Sequence, residues 1–212
     1  SLAESEPQVG AALAERCAAS VPLVAPGHRG TVSVPVVGVQ HLGDRGHLLS
    51  VTEAPASGAF LEEPWQQLVG QSRALSLAQV KAEFDDLFGG VGKPDVDLFG
   101  SYYQAGFLNE KPLVVLRHDL AELGLTSNPE TSSITEDHIA YLFEVMRFLI
   151  AGDDVEICNL TRQQQFFSRH IQSWVEALCD ATQAHPKAVF YSSLAQLTRA
   201  FMAVERQAFD ML

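Results

Sequence analysis

Between Ser132 and Asp154 the chain reads SSITEDHIAYLFEVMRFLIAGDD. The apolar residues Ile139, Leu142, Phe143, Met146, Leu149 and Ile150 recur at the three- and four-residue spacing of one helix face. A strand would need strict alternation, so this spacing demands a helix buried along one side and a second layer to bury it against. Ser133 and Glu136 stand at capping-box spacing, each able to satisfy an amide of the first turn, and Gly152 supplies the stop. Asp137 and His138 lie in that first turn, just ahead of the apolar face. Two readings of the pair stay open. Either an acid is favoured by the positive end of the helix dipole beside a partly buried histidine, or the two receive a cationic or amide-rich ligand, with His138 titrating near neutrality.

The same spacing returns through the chain from Phe60 onward. Pro64 suits the start of a helix carrying Trp65, Leu68 and Val69. Ser76 and Gln79 form a second capping box, ahead of an apolar face of Leu77, Val80, Phe84, Leu87 and Phe88. Gly89-Gly90 closes that helix, and a Gly-, Pro- and Asp-containing loop runs to Gly100. Pro112 opens a helix facing inward with Leu113, Leu116, Leu120 and Leu123, closed by Gly124. A later helix carries Phe167, Ile171, Trp174 and Leu178. Pro186 starts the last, with Phe190, Leu194, Leu197, Phe201 and Val204 inward. Alternating steps of three and four are what helix-on-helix packing requires, so the fold class is an all-α bundle in one domain spanning 1–212. The first 60 residues differ. Residues 5–19 suit a short helix with Val9, Leu13 and Cys17 on one face. Ser20 to Val51 is rich in valine and glycine, with Asp44 its only acid. There TVSVPVVGV alternates like a strand and Gly43 to Gly46 reads as a turn before HLLSV, so residues 20–52 are expected to be irregular or β. Pro35 would confine such a strand to an edge.

The formal charge of −12 excludes a nucleic-acid partner, whose phosphates this surface would repel. It suits a basic peptide, since an acidic field speeds encounter with cations, and it also serves solubility alone. No apolar run reaches the roughly 18 residues of a membrane span. The N-terminus SLAESEPQVG has neither a basic nor an apolar export region, so a cytoplasmic location and no membrane insertion are expected. Cys17, Cys158 and Cys179 form no CxxC pair, which suits packing in a reducing compartment.

Three kinds of chemistry lack their required residues here. GGVGKPD (Gly89 to Asp95) is no phosphate loop, because Leu87 and Pro94 stand where a Walker motif needs glycine and a hydroxyl residue. The seven histidines show no HExxH and no zinc spacing, so no metal site is expected. Ser132 and Ser133 lie near His138 without the strand–turn–helix elbow of a nucleophile, so catalytic residues are expected to be absent. Phe99-Gly100-Ser101-Tyr102-Tyr103 places aromatic residues around a glycine, which allows another backbone or ring to approach closely.

Taken in order, EFDDLFGG (Glu83 to Gly90), FGSYY (Phe99 to Tyr103), EDHIAYLFEVMRFL (Glu136 to Leu149), FFSRHIQSW (Phe166 to Trp174) and FYSSLAQLTRAF (Phe190 to Phe201) make the chain resemble the TorD/DmsD family of assembly chaperones for molybdenum enzymes. The resemblance covers about residues 60 to 210. It implies an all-α fold and a non-enzymatic, cytoplasmic role. The client would be a molybdenum-containing oxidoreductase, its catalytic subunit or twin-arginine leader being held until the cofactor is inserted and before export. By position it assigns partner and signal-peptide binding to Phe84, Leu87, Phe88, Gly100, Ser101, Tyr103, Asp137 and His138. No cofactor is expected, although the resemblance brings guanine nucleotide or molybdopterin binding into view. It also implies a monomer or a domain-swapped dimer. The chain departs from the family pattern at Ile134-Thr135, at Asp97-Leu98, and at Phe84 and Tyr103, where some members carry tryptophan. The readings from other classes are a small metal-dependent hydrolase using Asp137 and His138, and a helical adaptor with no ligand.

Overall fold

The computed structural model describes residues 21–24, 31–34, 61–89, 92–108, 110–125 and 134–212. Eight helices make up its described core: α1 (Glu62–Ala74), α2 (Leu77–Phe88), α3 (Gly100–Ala105), α4 (Lys111–Glu122), α5 (Ile139–Ala151), α6 (Leu160–His170), α7 (Val175–Ala184) and α8 (Phe190–Asp210). Ahead of them two short strands, β1 (Val21–Val24) and β2 (Thr31–Val34), pair antiparallel with Val21 opposite Val34. The valine-rich stretch is therefore β in part, though TVSV pairs with the preceding VPLV. The expected helix at 5–19 and the turn at Gly43 to Gly46 lie outside the described residues.

The 21-residue helix α8 is the spine, packing on α7, α1 and α2, while α5 packs on α6 and α3 on α4. The main core gathers Leu113, Leu116 and Leu120 of α4, Leu142, Val145 and Leu149 of α5, and Phe167, Ile171, Trp174 and Val175 behind them. A second cluster joins Leu68 of α1 and Val80 and Leu87 of α2 to Phe190 and Tyr191 of α8. Phe88 packs against both.

Several local expectations are borne out for the stated reason. Ser76 and Gln79 close their capping box, with Ser76 N–H donating to the Gln79 side chain at 2.9 Å. Leu113, Leu116, Leu120 and Leu123 are all buried, and Gly124 adopts φ 70°, a left-handed conformation natural to glycine. Others change. The central helix starts only at Ile139, with His138 as its N-cap; the proposed Ser133–Glu136 capping box involves Ser133, outside the described residues. Its buried face is turned toward Tyr141 and Val145, leaving Ile150 59% exposed. Gly152 does end it, although its φ of −75° is ordinary; a Cβ there would lie 2.3 Å from Cys158 Sγ, so close packing of the thiol is what calls for glycine. Phe167, Ile171, Trp174 and Leu178 are all buried, but not on one helix: Phe167 is on α6 and Leu178 on α7, while Ile171 and Trp174 cap the two ends of the break between them. Pro186 precedes the last helix by a turn, and Phe201 is 41% exposed. The loop expected to run to Gly100 ends at Phe99, and Gly100 opens the short helix α3.

One contact ties the spine down. Val189, Phe190 and Tyr191 open α8 with backbone N–H groups that have no partner within their own helix. The buried carboxylate of Glu83, on α2, accepts all three, at 2.8, 3.1 and 2.8 Å. An acid from elsewhere in the chain thus does the work of an N-cap. Glu83→Ala is expected to destabilise the fold by about 2–3 kcal/mol, since charge-assisted bonds are lost and buried donors orphaned. Urea unfolding followed by circular dichroism measures this, and a loss below about 0.5 kcal/mol, the level of a neutral surface substitution, would contradict the clamp.

Candidate functional site

At the mouth of α5 a second buried carboxylate repeats this arrangement. Asp137 is 3% exposed. Its Oδ2 accepts the Ser101 backbone N–H at 3.0 Å and the Ser101 hydroxyl at 2.5 Å, and its Oδ1 accepts Thr135 Oγ1 at 2.6 Å. Its backbone carbonyl accepts Gly100 N–H at 2.9 Å, while Ile139 N–H donates back to Leu98 O at 3.0 Å. Phe99 and His138 thereby form an antiparallel bridge, and their rings meet edge to face at 5.1 Å. Asp137 accordingly caps α3 from across the fold while His138 caps α5, its Nδ1 accepting Ala140 N–H at 3.2 Å. That bond places the proton of the neutral imidazole on Nε2.

Gly100 is fixed by what stands over it. A Cβ there would lie 2.9 Å from the indole of Trp174, whose Nε1–H donates to His170 O at 2.7 Å. Tyr103, one turn on, stacks on the same indole at 5.4 Å and donates its hydroxyl to Asp97 O at 2.8 Å. Glu136 adds a further tie, its Oε2 accepting Arg117 Nε and Nη2, both at 2.9 Å.

Burial dominates the electrostatics here. It pushes His138 down to about 4 against the opposing pull of Asp137, so the ring is neutral at pH 7. Burial likewise lowers His170, opposed by Asp119, whose Oδ2 lies 2.7 Å from its Nε2. Asp97, 5% exposed, is held above the usual carboxylate range mainly by burial, with the Phe99 amide opposing. Tyr103 is raised by burial and by Asp97. Cys179 is buried and its thiol pushed up to about 11, while Cys158 is raised too; both are free thiols suited to packing.

The residues singled out from sequence thus fall into two groups. Gly100, Ser101, Tyr103, Asp137 and His138 form one continuous junction on Trp174. Phe84 and Leu87 lie instead with Phe190 and Tyr191; Phe84 meets Tyr191 at 5.9 Å and Phe88 meets it at 5.1 Å. Phe88 links the groups. The junction is largely internal: both oxygens of Asp137 are engaged, and Ser101 is 1% exposed. Of the residues singled out from sequence, Phe84, Phe88, Tyr103 and His138 remain half-buried. Sequence reasoning passed over Glu83, whose signal was an acid lying within the apolar stripe of Val80, Phe84 and Leu87. It also passed over Asp97, Tyr191 and an apolar groove of about 480 Å³ between α1, α5 and α8. Among the described residues, the cluster with metal-compatible geometry is His118, Asp119 and Glu122 on α4, which includes neither Asp137 nor His138; Arg169 already pairs with Asp119 at 2.9 Å.

A family model described as the nitrate reductase delta subunit matches residues 54–180. The chaperone protein TorD of Vibrio atlanticus (strain LGP32) is 26% identical over 145 residues, covering 65% of this chain and 67% of that protein.

His138 should make the fold acid-sensitive. Its ordinary value is 6.5 and its folded value about 4, so between these the unfolded chain binds the extra proton, and stability falls as pH drops from 6.5 toward 4. The slope from this group is at most about 1.4 kcal/mol per pH unit. His138→Asn keeps a capping oxygen without a titrating ring, so urea midpoints across pH 4–7 should lose that part of the slope. An unchanged slope would refute the assignment.

Proposed function

The chain belongs to the nitrate reductase delta subunit family, which includes TorD-like proteins, and from that membership we propose that it is an assembly chaperone for a molybdenum-containing oxidoreductase. It holds the client's catalytic subunit until the cofactor is inserted, and reads the client through its twin-arginine leader. The activity is binding, with no chemical step.

The observation that carries this reading is the extent of the family match. Residues 54–180 take in Glu83, the aromatic pair Phe84 and Phe88, the Gly100–Ser101–Asp137–His138 junction and Trp174. The physical properties of the chain support it. An apolar surface beside a protein of charge −12 suits a peptide with an apolar stretch and basic residues, since acids attract the arginines while the apolar face accepts the rest. No described helix is long and apolar enough to cross a membrane.

The buried geometry gives the junction residues a distinct part. Asp137 and Ser101 hold α3 against α5, and in this reading they support the binding surface from within. Both oxygens of Asp137 accept hydrogen bonds inside the fold, and the metal-compatible cluster among the described residues includes neither Asp137 nor His138, so the hydrolase reading gains no support from the geometry.

The test is calorimetric titration of the purified chain with the apo catalytic subunit and with its leader peptide. It is joined to deletion of the gene. Binding of at least the subunit is expected, together with loss of most molybdoenzyme activity in the deletion strain. Phe84→Ala should weaken binding without loss of fold, whereas Asp137→Ala should lower stability as well as binding. Absence of binding to subunit and leader, with normal molybdoenzyme activity in the deletion strain, would end this reading.

A further inference from the structure

The groove between α1, α5 and α8 has no role in the assignment above, and its α8 wall lies beyond the stretch that the family model matches. Trp65 stands on α1, Phe143 and Ile150 on α5, and Leu197 and Phe201 on α8. At about 480 Å³ it falls within the 300–1,000 Å³ range of ligand sites. It has room for a few aliphatic side chains.

Its charges are unevenly matched. Arg147 lines the groove but is held by Glu144, Nε to Oε2 at 2.6 Å. The neighbouring cations of α8 turn to α7: Arg199 pairs with Asp180, and Arg206 with Glu176 at 3.2 Å. Glu205, the acid among the described lining residues, is half-buried and makes no ion pair or hydrogen bond among the described residues. An apolar trough whose carboxylate has no counter-charge among the described residues is complementary to an apolar segment carrying one basic side chain.

We propose that this groove is a client-binding site for an apolar peptide segment bearing a lysine or arginine, and that Glu205 selects the segment by pairing with that basic group. The proposal rests on the chaperone reading and adds to it a place and a specificity-determining residue. Partial burial raises the Glu205 carboxyl above its ordinary value, and a cation bound beside it would act in the opposite sense, favouring the charged form. The aliphatic part of the segment supplies most of the affinity through burial against Ile150 and Phe201, whose 59% and 41% exposure leaves apolar surface to cover.

Overlapping peptides spanning the client's catalytic subunit, leader included, would be titrated calorimetrically into the full chain and into Glu205→Gln, Glu205→Lys and Phe201→Asp. The strongest binder would also be made with its basic residues replaced by glutamine. Glu205→Gln is expected to weaken that binder about tenfold, the scale of one charge-assisted hydrogen bond, and Glu205→Lys to weaken it more. The glutamine peptide should bind all three Glu205 forms alike. Phe201→Asp should abolish binding of both peptides. Melting curves check the fold, since both positions are partly exposed. If the wild type binds a peptide and no variant changes its affinity, the groove is not the site, although the chaperone reading survives. If only Phe201→Asp matters, the pairing with Glu205 is wrong. If no peptide and no apo subunit binds the wild type, the chaperone reading and the groove proposal fail together.

Discussion

Two buried carboxylates hold this bundle in register, each by satisfying the start of a helix far from it in sequence. Every helix begins with amides that its own backbone cannot satisfy. Where such a start is pressed into the protein, water cannot take the vacant role and an unpaired donor is costly. Glu83 answers this for α8 with three hydrogen bonds, and Asp137 does so for α3 with its side chain and its carbonyl. The negative charge of each also meets the positive end of the helix it caps. These contacts bridge 106 and 36 residues of sequence, so they act as ties between layers.

The aromatic surfaces depend on those ties. Because Glu83 fixes Phe190 and Tyr191 at the head of α8, Tyr191 is presented to Phe84 and Phe88. Because Asp137 fixes Gly100 and Ser101, the backbone of α3 can lie directly under Trp174 while Tyr103 stacks on it. Phe88 packs against both assemblies and makes them neighbours. Aromatic surfaces built this way stand on buried polar supports, whose hydrogen bonds fix the backbone beneath them.

The helical plan was legible because it follows from local spacing. Leu113, Leu116, Leu120 and Leu123 announce one buried face, and Ser76 with Gln79 announces a helix start, whatever lies around them. The face of α5 was legible only in outline: spacing alone treats Ile150 and Val145 as near equals, and the packed neighbours decide that Val145 is enclosed while Ile150 meets the groove. The break between His170 and Val175 was hidden for a related reason. Phe167, Ile171, Trp174 and Leu178 keep helical spacing across it, and the backbone turn there is set by the Trp174 indole bonding to His170 O.

By itself the sequence determined that residues from about 60 onward form an all-α bundle, that the stretch around Ser20 to Val51 departs from it toward β, and that Asp137, His138 and the Phe84–Phe88 and Phe99–Tyr103 segments belong to one recognisable family pattern. These are properties of periodicity, capping and local order, each readable within a few residues. Only the tertiary structure decided that Asp137 faces inward onto Ser101, that Glu83 anchors α8, and that Glu205 lines an apolar groove without a counter-charge among the described residues. The reason is physical. Whether a carboxylate serves as a cap, a surface charge or a binding group depends on the donors and the burial that other parts of the chain bring to it, and no local spacing records them.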